Sequence, residues 1–205
     1  MADALLLHLA SASARRREIL ASLGVRHTWK AVDVDETPMP GEAAGELALR
    51  LALAKARASR SVSAGEAVIL GADTVVTLDG RLFGKATSEE EALFMLSLLS
   101  GREHTVFTGV ALSTMEGEIS TLAHTSVRFR TVSTAEAIAY WRSGEPAGKA
   151  GAYAIQGIGG IFVAGLSGSY SGVVGLPVYE TAGLLRQAGI DLLRLPRQAE
   201  QQDTG

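Results

Sequence analysis

Short apolar runs alternate with amphipathic stretches from the start of the chain. Leu5–Ala10 is an apolar run typical of a strand that is buried on both faces. A helix is predicted at about Ala14–Leu23, where the apolar positions have helical spacing and Gly24 supplies a C-terminal stop. We expect a second strand near His27–Val34 and a long Ala/Leu-rich helix over roughly Ala43–Ser61.

A glycine interrupts the next apolar segment. Val68–Leu70 predicts another short strand, and Gly71-Ala72-Asp73-Thr74 predicts a break before a further strand at Val75–Leu78. Asp79-Gly80 is a strong signal for a two-residue hairpin turn. This pattern would place Asp73 directly after a buried strand, where α/β proteins often have their sites. The alternative is that Asp73 is simply a turn residue.

The second half of the chain combines a long hairpin with capped helices. Arg102–Ser113 and Glu118–Val132 are rich in β-forming residues and predict an antiparallel pair of strands. Ser88 and Ser133 each begin a capping box, and Pro177 opens the last helix. Because strands and helices alternate around one long hairpin, we expect an α/β or α+β chain with a mixed sheet.

The composition is that of an ordinary globular protein. The chain has 205 residues, of which 47% are hydrophobic and 20% charged, and its formal net charge is −3. No change in composition marks a linker, so we expect a single domain over residues 1–197 and a frayed polar tail over 198–205. The lack of Cys excludes disulfides, a thiolate nucleophile and a thiolate zinc site.

Charge and hydropathy narrow the range of partners. A net charge of −3, without a basic stripe that carries aromatic residues, argues against nucleic-acid binding. No apolar run approaches the roughly 18 residues of a membrane span. The first residues also lack the basic region of a signal peptide. We therefore expect a cytoplasmic protein that binds neither nucleic acid nor a membrane.

A basic segment lies between the first predicted strand and the first predicted helix. Ser11 and Ser13 are small hydroxyl residues at the start of the helix, and Arg15-Arg16-Arg17 fill its first turn. Backbone N–H groups at a helix N-terminus attract anions, and Arg can bind phosphate with two hydrogen bonds. The alternative is a capped helix with a solvated basic turn. Three cations in a first turn oppose the helix dipole, which favours an anionic ligand.

The remaining polar candidates are carboxylates and isolated lysines. Asp73 and the cluster Asp33, Asp35 and Glu36 offer oxygen ligands that, together with phosphates, suit Mg²⁺, although a solvated acidic loop is the alternative. Gly80–Ala86 and Gly144–Ala150 both approach a phosphate-binding P-loop, but each is one residue short and lacks the required Ser or Thr. Each segment still contains a Lys that follows a Gly. Such a lysine could be a surface residue or could contact a phosphate. The residues alone favour a Mg²⁺-dependent phosphate-ester or nucleotide enzyme without naming its reaction.

Eight short stretches, taken in order along the chain, are more specific than any of these features. The first begins at Leu9 and the last ends at Pro177, so together they span nearly the whole chain. They are LASASARRREIL (9–20), DETP (35–38), ALAKA (52–56), ILGADTVV (69–76), GKATSEEEA (84–92), SGREHTVFTGVAL (100–112), KAGAYAIQGIGGIFV (149–163) and GSYSGVVGLP (168–177). Together they resemble the motifs of the Maf family of nucleoside triphosphate pyrophosphatases.

The resemblance implies a fold and a reaction. The fold would be α/β and similar to that of the inosine triphosphatases, with a bent mixed β-sheet flanked by helices and a cleft between two lobes. Such enzymes hydrolyse a nucleoside triphosphate between the α and β phosphates, giving the monophosphate and pyrophosphate. They use a divalent cation, here expected to be Mg²⁺ or Mn²⁺, and they are commonly homodimers.

The resemblance also assigns roles to individual residues. Asp73 matches the family's catalytic carboxylate, the proton acceptor for the attacking water, and it could equally be a metal ligand. Glu36 and Asp73 are the expected ligands of the divalent cation. The expected substrate-binding residues are Ser11, Arg15, Arg16, Glu36, Lys55, Thr74, Lys85 and Gln156.

The stretch around Gln156 implies a substrate preference. GAYAIQG resembles the subfamily that prefers dTTP and UTP, and Arg15, Thr74 and Gln156 match its specificity positions. A Gln amide offers both a donor and an acceptor, which suits the O4/N3 edge of a pyrimidine. Modified pyrimidine nucleotides are further candidates.

Two alternatives and three departures accompany this prediction. The same reaction on 7-methyl-GTP is the first alternative, although the GAYAIQG motif argues against it. A nucleotide-binding regulator of septum formation, without turnover, is the second. The departures are Ala14, Ala86 and Gly172, which stand where the family often has Pro, Pro and Asn.

Overall fold

The computed structural model describes residues 7–62 and 67–195. The start of the first predicted strand and the predicted tail at 198–205 lie outside the described residues. Between residues 7 and 195, apart from the gap at 63–66, no helix is both long and apolar enough to cross a lipid bilayer.

Seven strands and six α-helices follow one another along these residues. The first half contains β1 (Leu7–Leu9), α1 (Ala14–Ser22), β2 (His27–Trp29), α2 (Ala44–Val62), β3 (Val68–Leu78), β4 (Arg81–Phe83) and α3 (Glu89–Leu99). The second half contains β5 (Glu103–Ser113), β6 (Glu118–Phe129), α4 (Thr134–Arg142), β7 (Val163–Ser167), α5 (Tyr170–Val174) and α6 (Val178–Gln187). Short 3-10 helices lie at Ile158–Phe162 and Leu192–Arg194.

The strands form one mixed sheet in the order β2-β1-β3-β5-β6-β7, and β4 pairs with β3. β1 runs parallel to β2 and β3, whereas the other pairs are antiparallel. β5 and β6 pair along their length, which confirms the predicted long hairpin. Helix α2 packs against β3 and β5, and α6 packs against β5 and β6. The chain therefore has the mixed α/β architecture, a sheet flanked by helices, that the sequence predicts.

Local capping and turn signals account for several element boundaries. The hydroxyls of Ser13, Ser88 and Ser133 each accept a hydrogen bond at the start of α1, α3 and α4, and the capping box at Ser133 is complete. Asp79 and Gly80 both have positive φ angles, 50° and 77°, as a two-residue hairpin turn between β3 and β4 requires. These signals act within a few residues, which is why the sequence reveals them directly.

Two predicted boundaries are wrong because pairing between distant strands decides them. The predicted break at Gly71-Ala72-Asp73-Thr74 is continuous strand, since β5 pairs with β3 without interruption from Ile69 to Thr77. Asp73 therefore lies in mid-strand, beyond Leu70, where the pairing of β3 with β1 ends. The second strand ends at Trp29 rather than at residue 34, because its partner β1 ends opposite Trp29.

Helix α2 lies unusually close to the sheet. A Cβ atom built on Gly71 of β3 would lie 2.2 Å from the carbonyl oxygen of Ala52, and one built on Gly109 of β5 would lie 2.4 Å from that of Ala48. Such distances are far inside van der Waals contact, so neither strand position accepts a side chain. The glycine at position 71 thus serves the packing of α2 rather than a turn.

Replacing Gly71 by Ala is expected to destabilise the fold. The added methyl group would push α2 away from β3, and overpacking of this kind costs about 1–3 kcal/mol or more. Gly183 in α6 is a matched control, since a Cβ there meets no atom within 4 Å. Gly183→Ala should stabilise the helix by about 0.5–1 kcal/mol. Urea unfolding measures both free energies, and a Gly71→Ala variant as stable as the wild type would contradict the packing argument.

The two ends of strand β3 belong to different apolar clusters. Val68 and Leu70 pack in a cluster with β1, α1 and α6, whereas Val76 and Leu78 pack in another with α3 and α4. Asp73 and Thr74 lie between these two pairs of residues. The change from one cluster to the other thus occurs at the polar positions of the strand.

A histidine is buried beside the second of these clusters. His104 is 2% exposed, its Nε2 lies 2.9 Å from the Tyr153 hydroxyl, and its ring packs edge-on against Phe129. Its Nδ1 has no hydrogen-bond partner among the residues that the structure describes. Burial lowers the pKa of His104 from 6.5 to about 4, so the ring is neutral at pH 7.

This histidine should make the protein less stable in mild acid. Between pH 6.5 and pH 4 the unfolded chain binds a proton at His104 that the folded chain does not, so the free energy of unfolding falls as the pH falls. From pH 7 to pH 5 the loss from this group should be about 2 kcal/mol. Urea unfolding of the wild type and of His104→Gln at both pH values tests this. The prediction fails if both proteins lose the same stability.

Candidate functional site

A cleft of about 650 Å³ opens over the middle of β3. Its walls come from the β1–α1 connection, the loop after β2, helix α2, the segment after β4 and the connection between α4 and β7. Every residue predicted for the site lines this cleft. These residues are Ser11, Arg15, Arg16, Glu36, Lys55, Asp73, Thr74, Lys85 and Gln156.

A buried lysine joins two carboxylates at the centre of the cleft. Lys55 of α2 lies with its Nζ 2.5 Å from Asp73 Oδ1 and 2.6 Å from Glu36 Oε1. The side chains of Lys55 and Asp73 are only 10% and 13% exposed, whereas that of Glu36 is 44% exposed. The close packing of α2 on β3 makes this contact, because it sets the helix beside the strand that carries Asp73. The three groups hold one another in place and keep a carboxylate at the cleft floor.

Glu36 is held as a carboxylate by its neighbours. Burial acts to raise its pKa, but the hydrogen bond and charge of Lys55 and the charge of Lys85 outweigh burial, so the pKa is lowered. Lys85 Nζ lies 3.4 Å from Glu36 Oε2 and its side chain is 63% exposed. The exposed lysine and the half-exposed carboxylate thus form the outer edge of the same charged group.

Among the described residues, four carboxylates line the cleft, those of Glu18, Glu36, Asp73 and Glu145, and two of them share Lys55. Across residues 7–62 and 67–195, no group of three or more His, Cys, Asp or Glu side chains is placed to hold a metal ion. Mg²⁺ is often bound by only one or two carboxylates and takes its other ligands from phosphates and water. Glu36 and Asp73, the pair expected to hold the metal, are hard oxygen donors close to the same lysine. They therefore fit a cation that arrives with a phosphate-bearing ligand.

A half-buried arginine links the first helix to two other parts of the chain. The Nε of Arg16 donates to the Gly175 carbonyl at 2.8 Å, and its two terminal nitrogens donate to Ser11 Oγ at 3.1 Å and Thr74 Oγ1 at 3.4 Å. Burial lowers the pKa of Arg16, and the charge of Asp73 opposes that shift. Arg16 is therefore a structural link as well as a cation of the cleft.

Thr74 belongs to a chain of hydroxyl contacts that leads away from the cleft. Its Oγ1 is 3.0 Å from the Oγ1 of the buried Thr108, which donates to the Gly172 carbonyl at 2.8 Å. Gly172 thus contributes its backbone to this chain. The chain fixes the orientation of Thr74, which receives the hydrogen bond from Arg16.

Arg15 stands beside Arg16 with a simpler environment. Its Nε donates to the Val174 carbonyl at 3.2 Å, and burial lowers its pKa. The Ser13 hydroxyl accepts from the backbone N–H of Arg16 at 3.5 Å, so the predicted cap of α1 is confirmed. The start of α1 is thus partly satisfied by the protein itself, and arginine side chains supply further positive charge.

The structure adds Lys149 to the cleft, a residue that the predicted site did not include. The segment around it pairs antiparallel with the one around Lys85, through a bridge between Lys85 and Ala150 and a hydrogen bond from Gly148 N to the Ala86 carbonyl at 2.9 Å. Burial lowers the pKa of Lys149, and the nearby charge of Arg15 lowers it further. Both lysines lie in the sequence Gly-Lys-Ala, at 84–86 and 148–150, and this repeated pattern is the signal in the sequence that points to Lys149.

Gln156 shares the cleft with several apolar side chains. The side chains of Val76, Val106, Tyr153 and Val173 line the cleft together with it. Gln156 itself is exposed, whereas Tyr153 is 6% exposed and contacts His104. An exposed amide in a partly apolar pocket can select a flat heterocycle by its polar edge. Charged groups and this pocket thus occupy one continuous cleft.

Comparisons with known proteins show the family to which the chain belongs. The family model described as Maf-like protein matches residues 6–188. A dTTP/UTP pyrophosphatase of Myxococcus xanthus is 53% identical over 191 residues, covering 93% of this chain and 96% of the relative. A dTTP/UTP pyrophosphatase of Methylococcus capsulatus is 48% identical over 194 residues, covering 95% and 96%. The solved structure of the Ham1 protein of Staphylococcus aureus is 16% identical, covers 60% of this chain and 71% of its own, and has a TM-score of 0.43.

Proposed function

Because the chain belongs to the Maf-like proteins, we propose that it hydrolyses dTTP and UTP to the monophosphate and pyrophosphate. Two relatives that cover almost the whole chain at 48–53% identity carry the name dTTP/UTP pyrophosphatase. The observation that carries the proposal is the Glu36–Lys55–Asp73 group, which shares one cleft with Arg15 and Gln156. That combination joins carboxylates for water activation to cations for phosphates and an amide for a base.

The cations would bind the triphosphate and stabilise its developing charge. Arg15, Lys85 and Lys149 line the cleft around the carboxylates, and Lys55 sits at its floor. Phosphoryl transfer depends mainly on positioning and charge stabilisation, so groups placed in advance contribute most. The lowered pKa of Lys149 favours this role, because an incoming anion would relieve its repulsion by Arg15.

Asp73 would accept the proton of the attacking water. The water oxygen forms the new bond to the α-phosphorus, the bond from that phosphorus to the bridging oxygen breaks, and pyrophosphate leaves. Lys55 orients Asp73 through a hydrogen bond to one carboxylate oxygen. A divalent cation, Mg²⁺ or Mn²⁺, would be held by Glu36 and Asp73 and would neutralise phosphate charge when bound.

Gln156 would select the base. Its amide can donate to one atom and accept from its neighbour on the edge of thymine or uracil, where O4 and N3–H lie side by side. Thr74 and Arg15, which line the same cleft, complete the proposed specificity set.

We expect hydrolysis to depend on the carboxylate of Asp73. Pyrophosphate release is measured with Mg²⁺ or Mn²⁺ on dTTP, UTP, CTP, dATP, GTP and 7-methyl-GTP. Asp73→Asn should lower turnover by about 10²–10⁴-fold, the usual contribution of a positioned base. Asp79→Asn is the matched control, because Asp79 lies in the β3–β4 turn and pairs with Arg102. It should retain full activity.

Each outcome of this panel separates one part of the proposal from the rest. Release led by dTTP and UTP and lost in Asp73→Asn is the expected result. Release led by 7-methyl-GTP keeps the reaction but overturns the assignment of the base. Nucleotide binding by folded protein without release points to a regulator. Full activity in Asp73→Asn removes Asp73 from the mechanism.

The family resemblance also leads us to propose a homodimer in the cytoplasm, with neither nucleic acid nor a membrane as partner. Light scattering on the purified protein should give twice the 21.4 kDa of the chain. A mass of one chain across a wide concentration range would contradict the dimer.

A further inference from the structure

A tyrosine and a glutamate hold the loop that carries Gln156. The Tyr140 hydroxyl at the end of α4 donates to Glu145 Oε1 at 2.6 Å and accepts from the backbone N–H of Ala154 at 3.1 Å. The Glu145 carboxylate then accepts from the backbone N–H groups of Ile158 at 3.0 Å and Gly159 at 2.9 Å. The backbone is therefore anchored before Gln156, at Ala154, and after it, at Ile158 and Gly159, by the side chains of Tyr140 and Glu145.

The loop also lies too close to these side chains to move toward them. A Cβ atom on Gly157 would lie 2.0 Å from Glu145 Oε2, and one on Gly159 would lie 2.4 Å from the Tyr140 hydroxyl. The two glycines let the backbone rest directly on the polar atoms. The Tyr140 ring is itself fixed by an edge-on contact with Phe162, with ring centroids 5.1 Å apart.

The charge state of the pair is suited to this task. Burial acts to raise the pKa of Glu145, but its hydrogen bonds from Tyr140, Gly159 and Ile158 outweigh burial and lower the pKa. Burial and the neighbouring carboxylate raise the pKa of Tyr140. At pH 7 the hydroxyl is therefore a donor and the carboxylate an acceptor, as the contacts to the loop require.

We propose that Tyr140 and Glu145 are positioning residues for base selection, acting through the backbone on either side of Gln156. This inference rests on the proposed function, since it assumes that Gln156 reads the base. An amide that reads a donor and an acceptor on one edge must be held in a fixed orientation, because a small rotation misaligns both hydrogen bonds. Tyr140 does not line the cleft, whereas Glu145 does and its charge also acts on Lys149, so Tyr140→Phe is the variant that tests the loop without changing the charge near the phosphates.

Equilibrium binding tests this without requiring turnover. The probes are the α,β-imido analogues of dUTP and dGTP, which resist cleavage between these phosphates, and inorganic tripolyphosphate, which has no base. Titration calorimetry gives the three dissociation constants for wild type, Tyr140→Phe, Glu145→Gln, Gln156→Ala and Tyr140→Phe/Gln156→Ala. Tyr179→Phe is the matched control, because that tyrosine is 86% exposed on α6.

The expected result is a loss of selectivity with the phosphate end unchanged. Tyr140→Phe and Glu145→Gln should each weaken the dUTP analogue about three- to tenfold, as expected for one misplaced hydrogen bond. Binding of tripolyphosphate should stay at the wild-type value in Tyr140→Phe, which leaves the charges of the cleft unchanged, and Tyr179→Phe should match the wild type throughout. In the Gln156→Ala background, Tyr140→Phe should have no further effect on the preference for dUTP over dGTP.

Three results would overturn the proposal, and each differs from failure of the proposed reaction. Equal weakening of all three probes would show a general structural role. A selectivity loss that adds to that of Gln156→Ala would show that the pair does not act through Gln156. A wild type that binds both nucleotide analogues equally would remove base selection at this loop. Absence of pyrophosphate release alone, with selectivity in binding intact, would reject the reaction and leave the positioning role standing.

Discussion

The close approach of helix α2 to the sheet is the constraint on which the cleft depends. Gly71 and Gly109 leave room for the backbone of α2 to touch β3 and β5, with Ala52 and Ala48 facing them. At this separation Lys55 can bond to Asp73 in the middle of β3. A larger residue on either side would separate the lysine from the carboxylate. Packing and electrostatics are therefore not independent here, since glycines and alanines set the distance between the buried Lys55 and Asp73.

Burying Lys55 carries a desolvation cost that its partners must offset. Two carboxylates share the ammonium group, and removal of either would leave a poorly solvated cation close to the other. This arrangement favours a site that is already ordered before a ligand binds. Arg15 and Lys149 also line the cleft, and burial together with the charge of Arg15 lowers the pKa of Lys149. Lys55 at the floor of the cleft is thus paired with carboxylates, whereas Arg15 and Lys149, the cations proposed to bind phosphate, repel each other.

Sequence predicts the parts of this molecule that depend on near neighbours or on ordered motifs. Local sequence signals predict the caps at Ser13 and Ser133 and the turn at Asp79. The ordered motifs predict nine site residues, and all nine line one cleft. The break predicted at Gly71 is wrong because the local preference of glycine for turns cannot reveal a helix that packs on it from elsewhere in the chain. The role of Glu145 was not predicted either, because the backbone N–H groups that it accepts from lie 13 and 14 residues away and no local pattern indicates such contacts.

Arg16 joins groups that are made far apart in time during protein synthesis. Its Nε bonds to the carbonyl of Gly175, 159 residues later in the chain. At typical translation rates of 5–20 residues per second, about 8–30 s separate the synthesis of the arginine from that of its acceptor. During this interval the guanidinium of Arg16 lacks its hydrogen bond to the Gly175 carbonyl. The cleft can therefore be completed only late in translation, and a chain that stops before Gly175 lacks the acceptor that fixes Arg16.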